Sequence, residues 1–287
     1  MKMTRLPCFT LLFLLLFASS AWAVTNARDY IPNPAGTKML ILYGNHSFGD
    51  DLYHDGDKVR GDANFSSSIG IIRPIYYTKI GPFTANPQAI IPFGNVGLFD
   101  THSSGLGDIT LAATIWFIDD KVNNFYFGYT PYLTLPTGRY HRNEPLNLGS
   151  NQWSTKHEIG MGKRFGDALW LEGMAGVEFY FDNDDALDKA GNKATLSKDP
   201  LFNLDLHLSY DLTERLVGSV DYYLLYGAET ELGNVNQNNE KITHTLGCSL
   251  FYMLTKQTQL MLEYKRDVSV ENGVKANTLQ GRVAFIF

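Results

Sequence analysis

Ionisable side chains recur at every second position within apolar segments of this 287-residue sequence. In residues 201–211, for example, Asp205 and His207 alternate with leucines. Charged groups in this pattern could line a wet passage and select solutes by charge, or they could pair with one another and fill a narrow interior. The residues predicted to line such an interior are Asp108, Trp116, Glu158, Arg164, Glu172, Glu178, Asp205, His207, Asp221, Tyr223, Glu263 and Arg282.

Aromatic side chains share this polar face. A ring offers an aromatic solute both apolar area and quadrupolar contact, so a row of rings could form a path for it. Rings that simply pack the interior are the alternative. The aromatic residues concerned are Trp116, Tyr126, Tyr132, Trp170, Tyr180 and Tyr223.

Hydrolytic chemistry has weaker support, because no histidine lies in a local nucleophile motif such as G-x-S-x-G. His244 shares its strand face with Leu246, Cys248 and Leu250, which favours a position at the membrane interface. A hydrolase would require a Ser–His or Asp–His pair within hydrogen-bond reach once the strands are in register. A lipid-facing serine on a neighbouring strand would provide such a partner.

An acidic cluster near residue 185 could attract a hard cation through its oxygen ligands. The cluster departs from the calcium-loop pattern, since Leu187 and Lys193 stand where that pattern has Gly and Glu. A solvated loop is therefore the favoured interpretation, and the sequence predicts neither a metal site nor a cofactor.

The elements that must position these residues are β-strands, because period-2 alternation recurs along the chain and helical periodicity is scarce. In the last segment, Leu279, Val283 and Phe285 alternate with Gln280 and Arg282. Twelve strands are predicted, each close to the length that crosses a bilayer when tilted. They lie near 38–47, 65–78, 83–93, 107–118, 123–135, 153–165, 168–181, 201–212, 215–227, 241–254, 257–267 and 276–287.

The connections alternate between tight turns and long polar loops, which is typical of outer-membrane barrels. Turns are predicted at 119–122, 165–167, 212–214 and 254–256. Long loops are predicted at 46–63, 94–106, 138–152, 182–200 and 228–240. An even strand number returns both ends of the barrel to the periplasmic side.

The amino-terminal residues have the features of a secretory signal peptide. Lys2 and Arg5 precede a short apolar run, and Ala21 and Ala23 form an A-x-A cleavage site. We therefore expect residues 1–23 to be removed. The run is too short for a membrane-spanning helix, which needs about 20 apolar residues.

The remaining chain is divided into a periplasmic or lumenal segment, residues 24–37, and a transmembrane barrel, residues 38–287. Loss of the signal peptide removes two basic residues and no acid, so the 24 basic residues become 22 against 30 acids, a net charge of 22 − 30 = −8. This charge makes nucleic acid an unfavourable partner. Only Cys248 of the two cysteines remains, so an intrachain disulfide is excluded.

An all-β, antiparallel, up-and-down transmembrane barrel explains these features better than a secreted β-sandwich, which also alternates. Aromatic residues near the strand ends favour the barrel, since they match the girdles at the two membrane interfaces. They are Tyr43, Tyr77, Tyr210, Tyr226, Tyr252 and Tyr264. We expect a monomer in the bacterial outer membrane, in contact with lipid and lipopolysaccharide.

The chain ends in Phe285-Ile286-Phe287 on a strand that is apolar on one face. A carboxyl-terminal phenylalanine in this setting resembles the signal used by the barrel-assembly machinery. Phe285 and Phe287 are therefore predicted to form that signal, and the machinery is the protein partner expected.

Nine short strings spread over the mature chain carry a resemblance to a known family. They are Asp29-Tyr30-Ile31-Pro32, Pro34-Ala35-Gly36-Thr37, Ser104-Gly105-Leu106-Gly107-Asp108, Thr130-Pro131-Tyr132-Leu133, Leu135-Pro136-Thr137-Gly138, Leu146-Asn147-Leu148-Gly149, Asn151-Gln152-Trp153, Asp182-Asn183-Asp184-Asp185 and Arg266-Asp267-Val268-Ser269-Val270. In this order and spacing, the chain resembles the outer-membrane barrel family named for the meta-pathway of phenol degradation. The resemblance implies uptake of small hydrophobic or aromatic compounds.

The main hypothesis is a channel that carries such solutes by passive diffusion, without enzymatic activity. Two alternatives stay open, namely an outer-membrane hydrolase and a structural or adhesive barrel with a plugged lumen. A plugged structural barrel should have a closed lumen in which every charge is paired.

Overall fold

The computed structural model describes residues 25–287, and these residues form twenty-one β-strands. The strands are β1 (Lys38–Gly49), β2 (Leu52–His54), β3 (Asp57–Arg60), β4 (Phe65–Tyr76), β5 (Thr78–Ile80), β6 (Phe83–Leu98), β7 (Thr101–Leu106), β8 (Ile109–Asp120), β9 (Phe125–Leu135), β10 (Ser154–Phe165), β11 (Leu169–Tyr180), β12 (Asn183–Leu187), β13 (Lys193–Lys198), β14 (Leu201–Asp211), β15 (Leu216–Gly227), β16 (Thr230–Leu232), β17 (Val235–Asn236), β18 (Lys241–Thr255), β19 (Thr258–Val270), β20 (Gly273–Val274) and β21 (Asn277–Ile286). Within this range, no helix has the length and apolar character needed to cross a membrane.

Twelve long strands close into an antiparallel barrel. Consecutive long strands pair with each other from β1 through β4, β6, β8 and onward, and β21 returns to pair with β1. Closure satisfies the backbone hydrogen bonds on both sides of every strand, which a sheet in lipid requires. The structure confirms the predicted all-β barrel and contains a strand at each of the twelve predicted positions.

The two faces of the wall follow the alternation seen in the sequence. On β14, Leu206 and Leu208 are exposed on the outer surface, whereas Asp205 and His207 are buried inside. Successive Cβ atoms of a strand point to opposite faces, so the apolar side chains all face lipid and the ionisable side chains face the lumen.

Two of the expected girdle tyrosines point the wrong way for a girdle. Tyr43 and Tyr77 are buried in the interior, where Tyr43 accepts a hydrogen bond from Arg73 and Tyr77 stacks on Trp116 at 6.0 Å between ring centroids. The run Met39–Tyr43 is apolar at every position, so alternation could not assign its faces. The other four, Tyr210, Tyr226, Tyr252 and Tyr264, are exposed on the outer surface as predicted.

The periplasmic connections are tight, as expected. The β8–β9 turn contains Asn124 at φ 49° and the β10–β11 turn contains Gly166 at φ 59°, both in the left-handed region that these residue types tolerate.

The long extracellular loops contain strands that the sequence did not predict. β6 continues past the predicted end at residue 93 and forms a hairpin with β7. β12, β13, β16 and β17 form one small sheet, and β2, β3 and β20 form another. These strands are short, and their partners come from distant loops, so local alternation gives little signal for them.

The N-terminal segment, residues 25–37, lies against the inward faces of the barrel strands. Ala27 and Tyr30 are almost fully buried there, at 2% exposure each. The segment then reaches the periplasmic rim, where Gly36 donates its amide hydrogen to Tyr77. The predicted signal peptide and its cleavage residues Ala21 and Ala23 lie outside the described residues.

Candidate channel interior

Short ion pairs occupy the middle of the barrel on neighbouring inward positions. Lys156 Nζ lies 2.6 Å from Glu158 Oε2 on β10, and Lys265 Nζ lies 3.2 Å from Glu263 Oε2 on β19. Both carboxylates are almost fully buried. A charge at this depth is costly unless a partner compensates it. In each pair the lysine compensates the charge of the neighbouring glutamate.

A second cluster joins β14, β15 and β18. His207 Nδ1 lies 2.6 Å from Asp221 Oδ1, and Ser219 Oγ donates to the same carboxylate at 2.9 Å and 3.0 Å. The hydroxyl groups of Ser219 and Ser249 are also 2.5 Å apart. Strand pairing explains the contact, because His207 lies directly opposite Asp221 in the ladder.

Carboxylates on three strands hold the first described residues of the N-terminal segment. Thr25 Oγ1 donates to Asp205 at 2.7 Å, and Asn26 Nδ2 donates to Glu263 at 3.2 Å. The amide nitrogen of residue 28 donates to Glu172 at 2.7 Å. These acids, predicted as lumen-facing residues, therefore act as acceptors for an internal chain segment.

Tyr30 fixes the next part of the segment. Its hydroxyl group lies 2.8 Å from Thr130 Oγ1 and donates to Glu158 Oε1 at 3.1 Å. Its carbonyl oxygen accepts a hydrogen bond from Trp116 Nε1 at 2.9 Å. Trp116 is therefore a structural anchor for the segment, and its ring is only 1% exposed.

Asp29 and Arg28 complete the attachment through charge. Asp29 lies 3.4 Å from Arg73 on β4 and 3.5 Å from Arg282 on β21, so one carboxylate bridges two strands. Arg28 lies 3.0 Å from Asp211 at the periplasmic end of β14. Charge-assisted contacts of this kind are stronger than neutral ones.

Three predicted interior residues lie near the barrel ends. Asp108 accepts hydrogen bonds from the amides of Gly138 and Ser150 and thereby ties two extracellular stretches together. Glu178 accepts from Ser154 and Tyr180 near the extracellular rim. Those contacts organise the loops above the membrane.

The third, Arg164, lies at the periplasmic end of β10. It is 3.6 Å from Asp211, and its guanidinium also contacts the carbonyl oxygen of Asp167. Arg164 therefore belongs to the periplasmic rim, together with Arg28.

Pairing in the described part of the barrel is incomplete. Glu172 Oε1, His207 Nε2 and Arg282 Nε are buried and have no hydrogen-bond partner among residues 25–287. Buried ionisable groups in a purely structural core are usually satisfied. Each of these groups still pairs through another atom, since His207 contacts Asp221, Arg282 contacts Asp29 and Glu172 accepts from the amide of Arg28.

Above the N-terminal segment lies a cavity of about 260 Å³. Thr25, Asp205 and Tyr132 form its floor, and the stretch Asn272–Val274 of an extracellular loop lies at its top. Its walls carry many apolar side chains, namely Phe65, Ile71, Ile90, Val96, Leu148, Leu225, Val270 and Val274. Of the predicted interior residues, Asp205, Tyr132 and Tyr223 line this cavity.

One lysine above the barrel wall has an altered acidity. Lys198 on β13 lies with its ammonium 4.0 Å from the ring centroid of Tyr180. Burial lowers the pKa of Lys198 to about 8, although the charge of Glu178 opposes this shift and that of Lys241 adds to it. Lys198 is therefore near its charge transition at mildly alkaline pH.

The geometry also bears on the hydrolase alternative. An Asp–His pair exists at Asp221 and His207, but the nearby serine hydroxyls donate to Asp221 rather than to the imidazole. On the outer surface, Ser269 lies opposite His244 in the ladder, and the imidazole hydrogen-bonds to Tyr222 at 2.8 Å. Among residues 25–287, neither imidazole has a hydrogen bond to a serine hydroxyl, the contact on which nucleophile activation depends.

Sequence reasoning missed several interior residues. The sequence pattern did not predict Asp29, Arg73 or Lys241 as interior residues, although all three contact or line the interior. A signal existed for Arg73, since Ile69, Ile71 and Ile75 share its strand face and an arginine among them requires a buried partner. For Asp29, no strand pattern marks the segment.

The closed twelve-stranded wall, the apolar outer belt and the ionisable interior together define an outer-membrane barrel of the channel and porin type. The chain belongs to the family described as "Putative MetA-pathway of phenol degradation", whose model matches residues 49–283. This match confirms the resemblance drawn from the nine strings. No curated protein matches the chain.

Solved structures agree with this assignment. The chain is 28% identical to an outer membrane channel from Pseudomonas putida F1, with a TM-score of 0.87 over 92% of this chain and 100% of that one. The translocator domain of the autotransporter NalP from Neisseria meningitidis (13% identity, TM-score 0.53, 90% of each chain) shares the fold alone. The same holds for the NanC porin (11% identity, TM-score 0.50, 86% of this chain and 98% of that chain). The protein is thus an outer-membrane channel-type barrel, and its location is the bacterial outer membrane.

Proposed function

We propose that this protein admits small hydrophobic or aromatic compounds through the outer membrane by passive diffusion. The observation that carries the proposal is the cavity above the N-terminal segment, whose walls are largely apolar in a barrel whose interior is otherwise rich in charge. An apolar pocket with a few polar groups is the usual form of a small-molecule site. Water-filled porins, in contrast, have polar interiors.

The N-terminal segment sets the condition for passage. It fills the lumen below the cavity, so a solute moving along the barrel axis requires at least part of this segment to shift. Most of its attachments are hydrogen bonds and ion pairs with inward side chains, as described for Thr25, Asp29 and Tyr30. Polar attachments of this kind can exchange with water as the segment moves.

A structural barrel with a plugged lumen is the second candidate, and the position of the N-terminal segment favours it. The largely apolar cavity counts against it. Flux measurements distinguish the two functions directly.

Liposomes containing the purified protein should swell faster in isosmotic nicotinamide, a neutral aromatic solute, than in isosmotic arabinose. Val96→Thr, which keeps the side-chain shape but adds a hydroxyl to the cavity wall, should lower the nicotinamide rate and leave the arabinose rate unchanged. Val220→Thr is the matched control, because Val220 faces lipid at 58% exposure. Swelling in neither solute, with correctly folded protein, would refute the proposed function.

A further inference from the structure

Lys241 differs from the other basic residues that line the cavity. Arg73 pairs with Asp29, and Lys265 pairs with Glu263. Within residues 25–287, the ammonium group of Lys241 has no side-chain hydrogen bond and no short ion pair, and its electrostatic partner Asp267 acts only at longer range. The cavity therefore presents one cation that the protein does not neutralise closely.

The acids of the cavity are already engaged elsewhere. Asp267 accepts hydrogen bonds from Thr245 Oγ1 at 2.6 Å and from the Ala276 amide at 2.9 Å. Asp205 accepts from Thr25 Oγ1 at 2.7 Å. Neither carboxylate is available to approach Lys241 without giving up these contacts.

A second cation lies close to Lys241. The positive charge of Lys241 acts on Lys198, whose own charge is partly offset by Glu178. Two like charges in a poorly solvated region repel each other, and an anion placed beside Lys241 would relieve this repulsion.

The surroundings of Lys241 are apolar. Two positions further along β18, Thr243 pairs with Leu225 on β15 and with Val270 on β19, and all three line the same cavity. Val274 closes the cavity towards the loops. A ligand bound here thus meets a cation at one end and apolar side chains along its body.

The volume of the cavity limits the size of the apolar part of such a ligand. Its volume of about 260 Å³ lies just below the range of roughly 300–1,000 Å³ typical of small-molecule sites, so a single ring or a short alkyl chain fits the space.

We propose that the cavity is a binding site for small amphipathic monocarboxylates, with the carboxylate beside Lys241 and the apolar body against Leu225, Val270 and Val274. This inference rests on the proposed function and narrows its solutes to a charged class. Lipid excludes charge, so an ionised acid does not cross the bilayer unaided and requires a channel.

The test compares benzoate with benzamide, a neutral molecule of the same shape, by equilibrium dialysis against the full protein in nanodiscs at pH 7. Wild-type protein should bind benzoate about tenfold more tightly than benzamide, as one charge-assisted contact provides. Lys241→Gln should abolish this preference and leave benzamide binding unchanged. Lys241→Arg should retain the preference, and Lys256→Gln, in an exposed periplasmic turn, is the control for loss of a positive charge.

Each outcome has a defined consequence. Equal binding of the two compounds by the wild type, or a preference that survives in Lys241→Gln, would overturn the carboxylate site while leaving the channel function in place. Failure of the folded wild type to bind either compound, together with the absence of nicotinamide swelling, would overturn both proposals. Heat-dependent mobility in electrophoresis verifies that each variant is folded.

Discussion

Single residues in this barrel are mostly tied to partners far away in the sequence. Asn26 donates to Glu263 across 237 positions, and Asp29 joins Arg73 to Arg282. Removing one partner of a buried ion pair typically costs about 3–5 kcal/mol, because the other charge is left uncompensated. The interior is therefore sensitive to single substitutions of its ionisable residues.

Lys198 provides a residue-scale prediction about pH. Because burial lowers its pKa from 10.5 to about 8, the amine loses its proton as the pH rises from 7 to 9. Acetylation of Lys198 by acetic anhydride, followed by mass spectrometry, should therefore accelerate by about tenfold over this interval. Lys58 is the comparison, since its hydrogen bond with Asp51 raises its pKa.

The ratio of the two labelling rates is the informative quantity, because it cancels the pH dependence of the reagent itself. The ratio of Lys198 to Lys58 should fall by about tenfold between pH 7 and pH 9, mostly above pH 8, because Lys198 approaches full deprotonation while the reactive fraction of Lys58 keeps rising. A ratio that does not change with pH would show that burial does not lower the pKa of Lys198.

At the scale of elements, the N-terminal segment is the part of the molecule that fills the lumen below the cavity. Its contact with β10 depends on a missing side chain, since Gly160 lies directly beneath the Tyr30 ring. A Cβ at position 160 would lie 2.4 Å from Cε1 and Cζ of Tyr30, so the ring would have to move. The Tyr30 hydroxyl is held by Thr130 and Glu158, so moving the ring also disturbs those hydrogen bonds.

Gly160→Ala should therefore loosen the N-terminal segment without removing any charge. Overpacking costs about 1–3 kcal/mol, which corresponds to about a tenfold larger population of the displaced segment. Single-channel recording in planar bilayers should show higher conductance or more frequent opening for Gly160→Ala than for the wild type.

Gly281→Ala is the matched control, because a Cβ there meets no atom within 4 Å. Unchanged conductance in Gly160→Ala, in a folded barrel, would mean that Tyr30 does not restrict ion flow.

At the scale of the whole molecule, the first and last barrel strands close the wall. Phe287 donates its amide hydrogen to Lys38 at 2.8 Å, and Lys38 donates its own to Phe287 at 3.1 Å. The Phe287 side chain is 70% exposed and packs little in the folded barrel. The ring therefore contributes little to the packing of the folded barrel. Its predicted role as an assembly signal can be tested separately from stability.

Phe287→Ala should reduce the amount of folded protein in the outer membrane severalfold while barely changing the stability of molecules that do fold. The reason is that the substitution removes an exposed ring but keeps both backbone hydrogen bonds. Fractionation of cells, followed by electrophoresis of unheated samples, measures the folded amount.

Leu279→Ala, a lipid-facing change on the same strand with 47% exposure, is the control and should assemble normally. Equal assembly of Phe287→Ala and the wild type would contradict a role for Phe287 as an assembly signal.

The class of the molecule follows from local patterns in the sequence. Alternation is a local property, since successive Cβ atoms point to opposite faces, and it placed Asp205 and His207 inside and Leu206 and Leu208 outside. The alternation of short and long connections gave the up-and-down topology. Where alternation fails, as in the uniformly apolar run ending at Tyr43, so did the assignment of faces.

The organisation of the interior, in contrast, depends on contacts between distant strands. The position of residues 25–37, the bridge made by Asp29 and the surroundings of Lys241 depend on strand register and on closure of the wall. Closure brings together residues as far apart in the sequence as Asp29 and Arg282, which are 253 positions apart. Periodicity carries no information about register between strands or about a segment without strand pattern. The sequence thus specified a barrel with a charged lumen, whereas the folded wall determined which charges are neutralised, what fills the lumen and where the cavity lies.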